Sequence, residues 1–143
     1  MNMSKENVVV KGKVRIEVTD KRTGKVVSVS ELENSFCSSG AFYVMRMIDT
    51  ADLPQLKNKI NLYDTSRNLI KTLTGTWGIR TDTGSAKQNT ITVLDNTTDT
   101  YTVQFYGLSH DTQTLYENND FCFKDASAKT KGSDQNLKVD WTV

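Results

Sequence analysis

Few residue types in this chain can carry covalent or acid–base chemistry, and their spacing limits what they can do. The single histidine, His110, stands between Ser109 and Asp111, so the three residue types of a nucleophile–base–orienter triad occur side by side. Adjacent side chains in a turn diverge, whereas a triad needs them to converge from separate parts of a fold. The sequence predicts a hairpin turn over His110-Asp111-Thr112-Gln113, with a solvated histidine in it. One imidazole with scattered carboxylates falls short of the ligand set that zinc takes. Calcium needs only oxygen ligands, and two loops offer them: Asp95, Asn96 and Asp99, and Asn118, Asn119 and Asp120. Neither has EF-hand spacing, and Asn and Asp in loops mostly make turns, so no metal and no other cofactor is expected. Cys37 and Cys122 lie 85 residues apart, which is neither a CxxC pair nor a metal-ligand spacing. Phe36 precedes the first, and Phe121 and Phe123 flank the second. Two buried free thiols are expected, with a disulfide closing the long loop as the alternative. Gly75-Thr76-Trp77-Gly78 lacks the lysine and the glycine spacing of a phosphate loop. It sets Trp77 between two glycines in an expected turn, either to anchor the core or to present its ring to a partner or a sugar. No catalytic residue emerges, and the chain is not read as an enzyme.

Composition agrees with that restraint. The 143 residues suit one domain, taken as 1–143, with residues 1–7 a disordered segment or an arm. Eighteen Lys and Arg against 17 Asp and Glu leave a net charge of +1, which gives no general attraction to nucleic acid or anionic lipid. Residues 1–25 hold seven basic residues against three acidic, but no aromatic residue interleaves with them, so a nucleic-acid partner is not expected. The polar segment Met1-Asn2-Met3-Ser4-Lys5-Glu6-Asn7 has no signal-peptide core, and no apolar run approaches the 18 or so residues of a membrane helix. Synthesis in a cytoplasm and no membrane insertion are the expectations. Nineteen Thr and 11 Asn against one Pro favour strands and turns.

The elements follow from periodicity. Val14, Ile16 and Val18 alternate with Lys13, Arg15, Glu17 and Thr19, the mark of a half-buried strand. Asp20-Lys21-Arg22-Thr23-Gly24 supplies a hairpin loop with Gly24 at a position of positive φ, and Lys25–Ser30 returns with Val27 and Val29 facing in. Ala41–Thr50 changes to helical spacing through Phe42 and Met45, so one short helix is expected near residues 40–50. Beyond Lys57, strands are expected at 60–63, 68–74, 90–94, 101–108, 114–116, 121–124 and 137–143. Tight connections are expected at Asp64–Asn68 and Asp95–Asp99. Residues Thr81–Gln88 and Ala126–Gln135 read as exposed polar loops, the second flexible. In the last strand Leu137, Val139 and Trp141 share one face, which is expected to be buried, with Trp141 as an interface contact in the alternative. About nine short strands without strand–helix–strand alternation imply an antiparallel sandwich, jelly-roll or immunoglobulin-like, or a barrel.

One resemblance adds a functional expectation. Asn34-Ser35-Phe36-Cys37-Ser38-Ser39-Gly40-Ala41-Phe42, Ile60-Asn61-Leu62-Tyr63-Asp64 and the closing Leu137-Lys138-Val139-Asp140-Trp141-Thr142-Val143 follow an N-terminal hairpin in this order. The arrangement resembles that of small structural proteins of tailed phages and archaeal viruses. The resemblance implies a virion component of tail, fibre or capsid-surface type that works by self-assembly. Its partners would be copies of itself and other virion proteins, with a host-surface glycan as a further candidate. The alternative is a carbohydrate-binding module that stacks sugars on Trp77, with Tyr106 or Tyr116 as further platforms.

Overall fold

The computed structural model describes residues 12–34, 56–79, 81–83, 86–110 and 120–143. In chain order the strands are β1 (Gly12–Asp20), β2 (Val26–Asn34), β3 (Leu56–Tyr63), β4 (Leu69–Thr74), β5 (Thr76–Trp77) and β6 (Thr81–Thr83). They continue with β7 (Ala86–Gln88), β8 (Thr90–Asp95), β9 (Tyr101–His110), β10 (Asp120–Lys131) and β11 (Gln135–Thr142). The expected helix at 40–50, the expected strand at 114–116 and the segment 1–7 lie outside the described residues. So do Cys37, and with it any pairing to Cys122, and the oxygen-rich pair Asn118 and Asn119.

Nine strands form two antiparallel sheets in the orders β2-β1-β11-β8-β5 and β10-β9-β3-β4, and β6 and β7 make a separate two-stranded ribbon. The sheets pack face to face as a sandwich, with β2 over β10 on one side and β4 over β8 on the other. Register carries the apolar alternation of the sequence straight into the core. Val14 faces Trp141, Ile16 faces Val139 and Val18 faces Leu137. On the other side of β11, Val139 faces Val93 and Trp141 faces Ile91. All of these are at most 1 % exposed. Ile60, Leu62, Leu73, Val103, Tyr106 and Leu108 answer them from the second sheet. Burying such side chains stabilises the fold by about 1.5–3 kcal/mol each.

The turns form where short polar residues and glycine allow. Gly24 adopts φ +68° and its N–H donates to Asp20 O at 2.8 Å. At the second connection Asp64 Oδ1 accepts from the N–H groups of Ser66 and Asn68, both at 2.9 Å, which holds Arg67 at φ +65°. Those bonds, Asn68 first, hold the Asp64 carboxyl below its usual range. Gly75 lies where the chain passes from β4 to β5 and changes sheet. A Cβ there would stand 2.0 Å from Thr92 O, so only glycine lets the two backbones approach this closely.

Five expectations are corrected. Val27 and Val29 face out, at 56 % and 42 % exposure. Val29 lies opposite Glu17, and a bulge between the Val18 and Thr19 pairs makes Val27 the extra residue, so Ser28, Ser30 and Leu32 take the inner side. Trp77 is not in a turn: it pairs with Ile91 in β5. Thr81–Gln88 is the β6–β7 ribbon, with Thr81 facing Gln88 and Thr83 facing Ala86. His110 ends β9 opposite Leu56 rather than sitting in a turn. The supposed loop at 126–135 is mostly strand, because β10 runs to Lys131 and the next begins at Gln135. Its inner positions are filled by Ala126, Lys129 and Lys131, whose stems pack like aliphatic side chains while their amines find partners.

Candidate functional site

The densest polar chemistry among the described residues gathers at one end of the sandwich, around the connection from β8 to β9. Along β8 the inward positions are Ile91, Val93 and Asp95, so the third core-facing side chain is a carboxylate. An unpaired buried carboxylate is strongly unfavourable. Asp95 Oδ1 accepts from Thr97 N at 3.0 Å and from Thr97 Oγ1 at 2.6 Å. Its Oδ2 accepts from Tyr101 OH at 2.6 Å and faces Lys71 Nζ at 3.0 Å. Four donors fill the roughly four lone-pair positions of a carboxylate. Burial pushes the Asp95 carboxyl up, but the Thr97, Tyr101 and Lys71 contacts outweigh it and hold the group far below its usual range. Burial and the neighbouring Asp95 in turn push the Tyr101 hydroxyl up.

Lys71 comes from the facing sheet. It shares the inner face of β4 with Leu73 and reaches across to Asp95 and to Asp99 Oδ2, the latter at 2.7 Å. Burial lowers its affinity for a proton, and the two carboxylates more than restore it. Lys71 likewise draws the Asp99 carboxyl below its usual range.

Lys131, fully buried at the end of β10, completes the cluster. Its Nζ donates to Thr97 O and Asp99 O, both at 2.7 Å, and to Gly132 O at 3.3 Å. Three acceptors meet the three N–H groups of an ammonium. Burial pulls its pKa down. Lys21 adds the hairpin loop of the other sheet, donating from Nζ to Thr97 O at 3.3 Å and from its backbone N–H to Asp134 O at 2.9 Å. Three lysines from three elements therefore clasp one five-residue turn.

This arrangement fastens the sheets and leaves little for a ligand. The cation held between Asp95 and Asp99, the loop with calcium-type oxygens, is the ammonium of Lys71. No group of three or more His, Cys, Asp or Glu side chains able to hold a metal occurs among the described residues.

Trp77 and Trp141 fall in one row across the inner face of their sheet, on either side of Ile91. Trp141 is fully buried in the core; Trp77 is half-buried against it. Tyr106, a proposed sugar platform, is a core residue with no exposed surface, and burial pushes its hydroxyl pKa up. No aromatic ring among the described side chains is exposed, and Tyr116 lies outside them. No motif in the sequence marks Lys71, Tyr101 or Lys131. The signal for them was Asp95, in phase with Ile91 and Val93: a charge on a core-facing row requires a partner from across the sandwich.

The outer surfaces differ from this closed end. The outer face of the first sheet is a ladder of opposite charges, with Arg15 bonded to Glu17, Arg15 Nε 3.4 Å from Glu31 and Lys138 Nζ 3.7 Å from Asp140. Beside it, β2 exposes Val26, Val27 and Val29. No family model, curated protein or solved structure matches this chain.

Proposed function

We propose that the protein is a non-enzymatic structural component of a virus particle, of tail, fibre or capsid-surface type, and that it works by self-assembly. The observation that supports this best is the use to which the buried polar groups are put. Asp95 and Lys131, both buried and charged, have their hydrogen-bonding capacity taken up by the β8–β9 turn and the neighbouring strands of the facing sheet. Rigidity of this kind suits a part that must keep its shape in a repeated assembly. The order of hairpin, junction and closing strand, which resembles phage and archaeal-virus structural proteins, supplies the virion part of the reading.

The carbohydrate-binding alternative calls for an exposed ring; Trp77 is half-buried against the core and Tyr106 is fully buried. Size-exclusion chromatography with light scattering at micromolar concentration tests the reading, followed by negative-stain microscopy of the same fractions. Trimers or larger particles of uniform shape are expected. A strict monomer that binds on a glycan array would overturn it in favour of the module.

A further inference from the structure

Among the described strands the two sheets have four edges, β2, β5, β10 and β4, and three of them are blunted. β5 is two residues long. β10 carries Lys129 and Lys131 on its core side, and β4 carries Lys71 there. Short edges and charges pointing inward both discourage another strand from adding to a sheet.

β2 has neither device; its one irregularity is the bulge at Val27 beside the hairpin loop, and residues 28–34 pair with β1 in unbroken register. It is nine residues long, its core side carries Ser28, Ser30 and Leu32, and its outer side exposes Val26, Val27 and Val29. It pairs with β1 alone among the described strands. Its charges are also segregated along its length. Lys21, Arg22 and Lys25 precede it in the exposed loop, and Glu31 and Glu33 are exposed near its far end. Arg22 also faces Asp134, Glu31 faces Lys13 and Arg15 across exposed surface, and Lys21 reaches Thr97 O, so Lys25 and Glu33 carry most of the contrast.

We propose that β2 pairs antiparallel with β2 of a second copy of this chain, about a twofold axis near Ser28 and Val29. Antiparallel self-pairing lays the basic end of each strand beside the acidic end of the other, and sets the valines of both copies side by side. A parallel arrangement would place like charges together. The twofold makes the contact self-complementary, so each charge match occurs twice. The backbone bonds supply affinity, as in other cases of strand addition. This rests on the self-assembly reading and names one surface that would serve it; a twofold contact closes at two copies, so trimers or larger particles need a second contact elsewhere on the chain.

The test uses the full chain and three variants: Val29→Lys, Arg22→Glu with Lys25→Glu, and Glu31→Lys with Glu33→Lys. All the altered side chains are exposed, and unchanged thermal midpoints check that each variant folds. Sedimentation velocity over a concentration series should show the natural chain associating and each variant weakened roughly tenfold or more. Mixing the basic-end and acidic-end variants in equal amounts should restore association as a heterodimer, since each then supplies the charge the other lost. If the natural chain associates while all three variants do so equally well, the β2 proposal fails and the assembly reading stands. If Val29→Lys dissociates the complex but the mixture does not recover, β2 meets some other surface, and the twofold pairing is wrong. If the natural chain is monomeric throughout, both fail together.

Discussion

β10 and β2 lie one above the other on the same side of the sandwich, each the edge of its sheet, and they manage that position in opposite ways. β10 turns lysines toward the core: Lys129 donates to Ser28 Oγ on β2, and Lys131 is clasped by three carbonyl oxygens. Both lysines are buried, and burial draws the pKa of each amine down. β2 faces the same side with valines and serines. A charge buried under an edge resists a neighbouring strand, because that strand would cover the charge further; an edge of β-branched side chains accepts one. Among the described strands the fold thus holds a sealed edge and an open one.

Breaking the sealed end should have the largest effect. Asp95→Ala would leave Lys71 and the Tyr101 hydroxyl without their central acceptor, and a loss of about 3–5 kcal/mol is expected by urea denaturation. Lys131→Met would keep the packed stem and take the Lys131 donor from Asp99 O, while Thr97 O keeps Lys21 Nζ and Gly132 O keeps the Gln135 N–H, with an expected loss of about 1–3 kcal/mol. At the open edge the sign of the experiment changes. Val29→Lys should alter stability by no more than about 0.5 kcal/mol, since its side chain is exposed, while association weakens. A Val29→Lys chain that loses several kcal/mol would show that β2 is covered within the monomer.

Acid titration probes the sealed end through its charges. The folded pKa values of Asp95 and Asp99 lie below their ordinary 3.8, so the unfolded chain takes up protons first as pH falls. Their contribution is therefore full above the ordinary value and is lost as pH drops below about 4, toward the folded values. The denaturation midpoint should fall over that range, and the fall should be shallower in Asp95→Asn. Equal slopes in the two chains would place the acid-sensitive groups elsewhere. At the alkaline end the raised pKa of Lys71 works in the other sense: its contribution is present below its ordinary 10.5 and is lost as pH rises through the folded value.

The parts of this fold legible in the sequence are those where one physical signal acts alone. Val14, Ile16 and Val18, and Leu137, Val139 and Trp141, alternate without interruption, and each set meets the other across the β1–β11 ladder. The Asp20–Gly24 and Asp64–Asn68 turns follow from short polar side chains that bond their own backbone. Legibility ended where two signals conflict. The valines of β2 look like core residues, but a single bulge decides which face turns inward. Ala126–Lys131 looks like a loop because lysines stand where aliphatic residues are expected. Their burial becomes favourable only once a distant turn, at Thr97 and Asp99, supplies oxygens for the amines. Asp95 looks like a loop acid for the same reason: its partners lie 24 residues back at Lys71 and six ahead at Tyr101.

The contrast between the edges is tested most directly by amide hydrogen exchange on the natural chain at low and high protein concentration. With β2 as the open edge that meets a second copy, exchange of the amides over 26–33 should slow as concentration rises, while exchange along 125–131 of β10 stays constant. Protection of 26–33 that does not depend on concentration, or a slowing confined to 125–131, would contradict it.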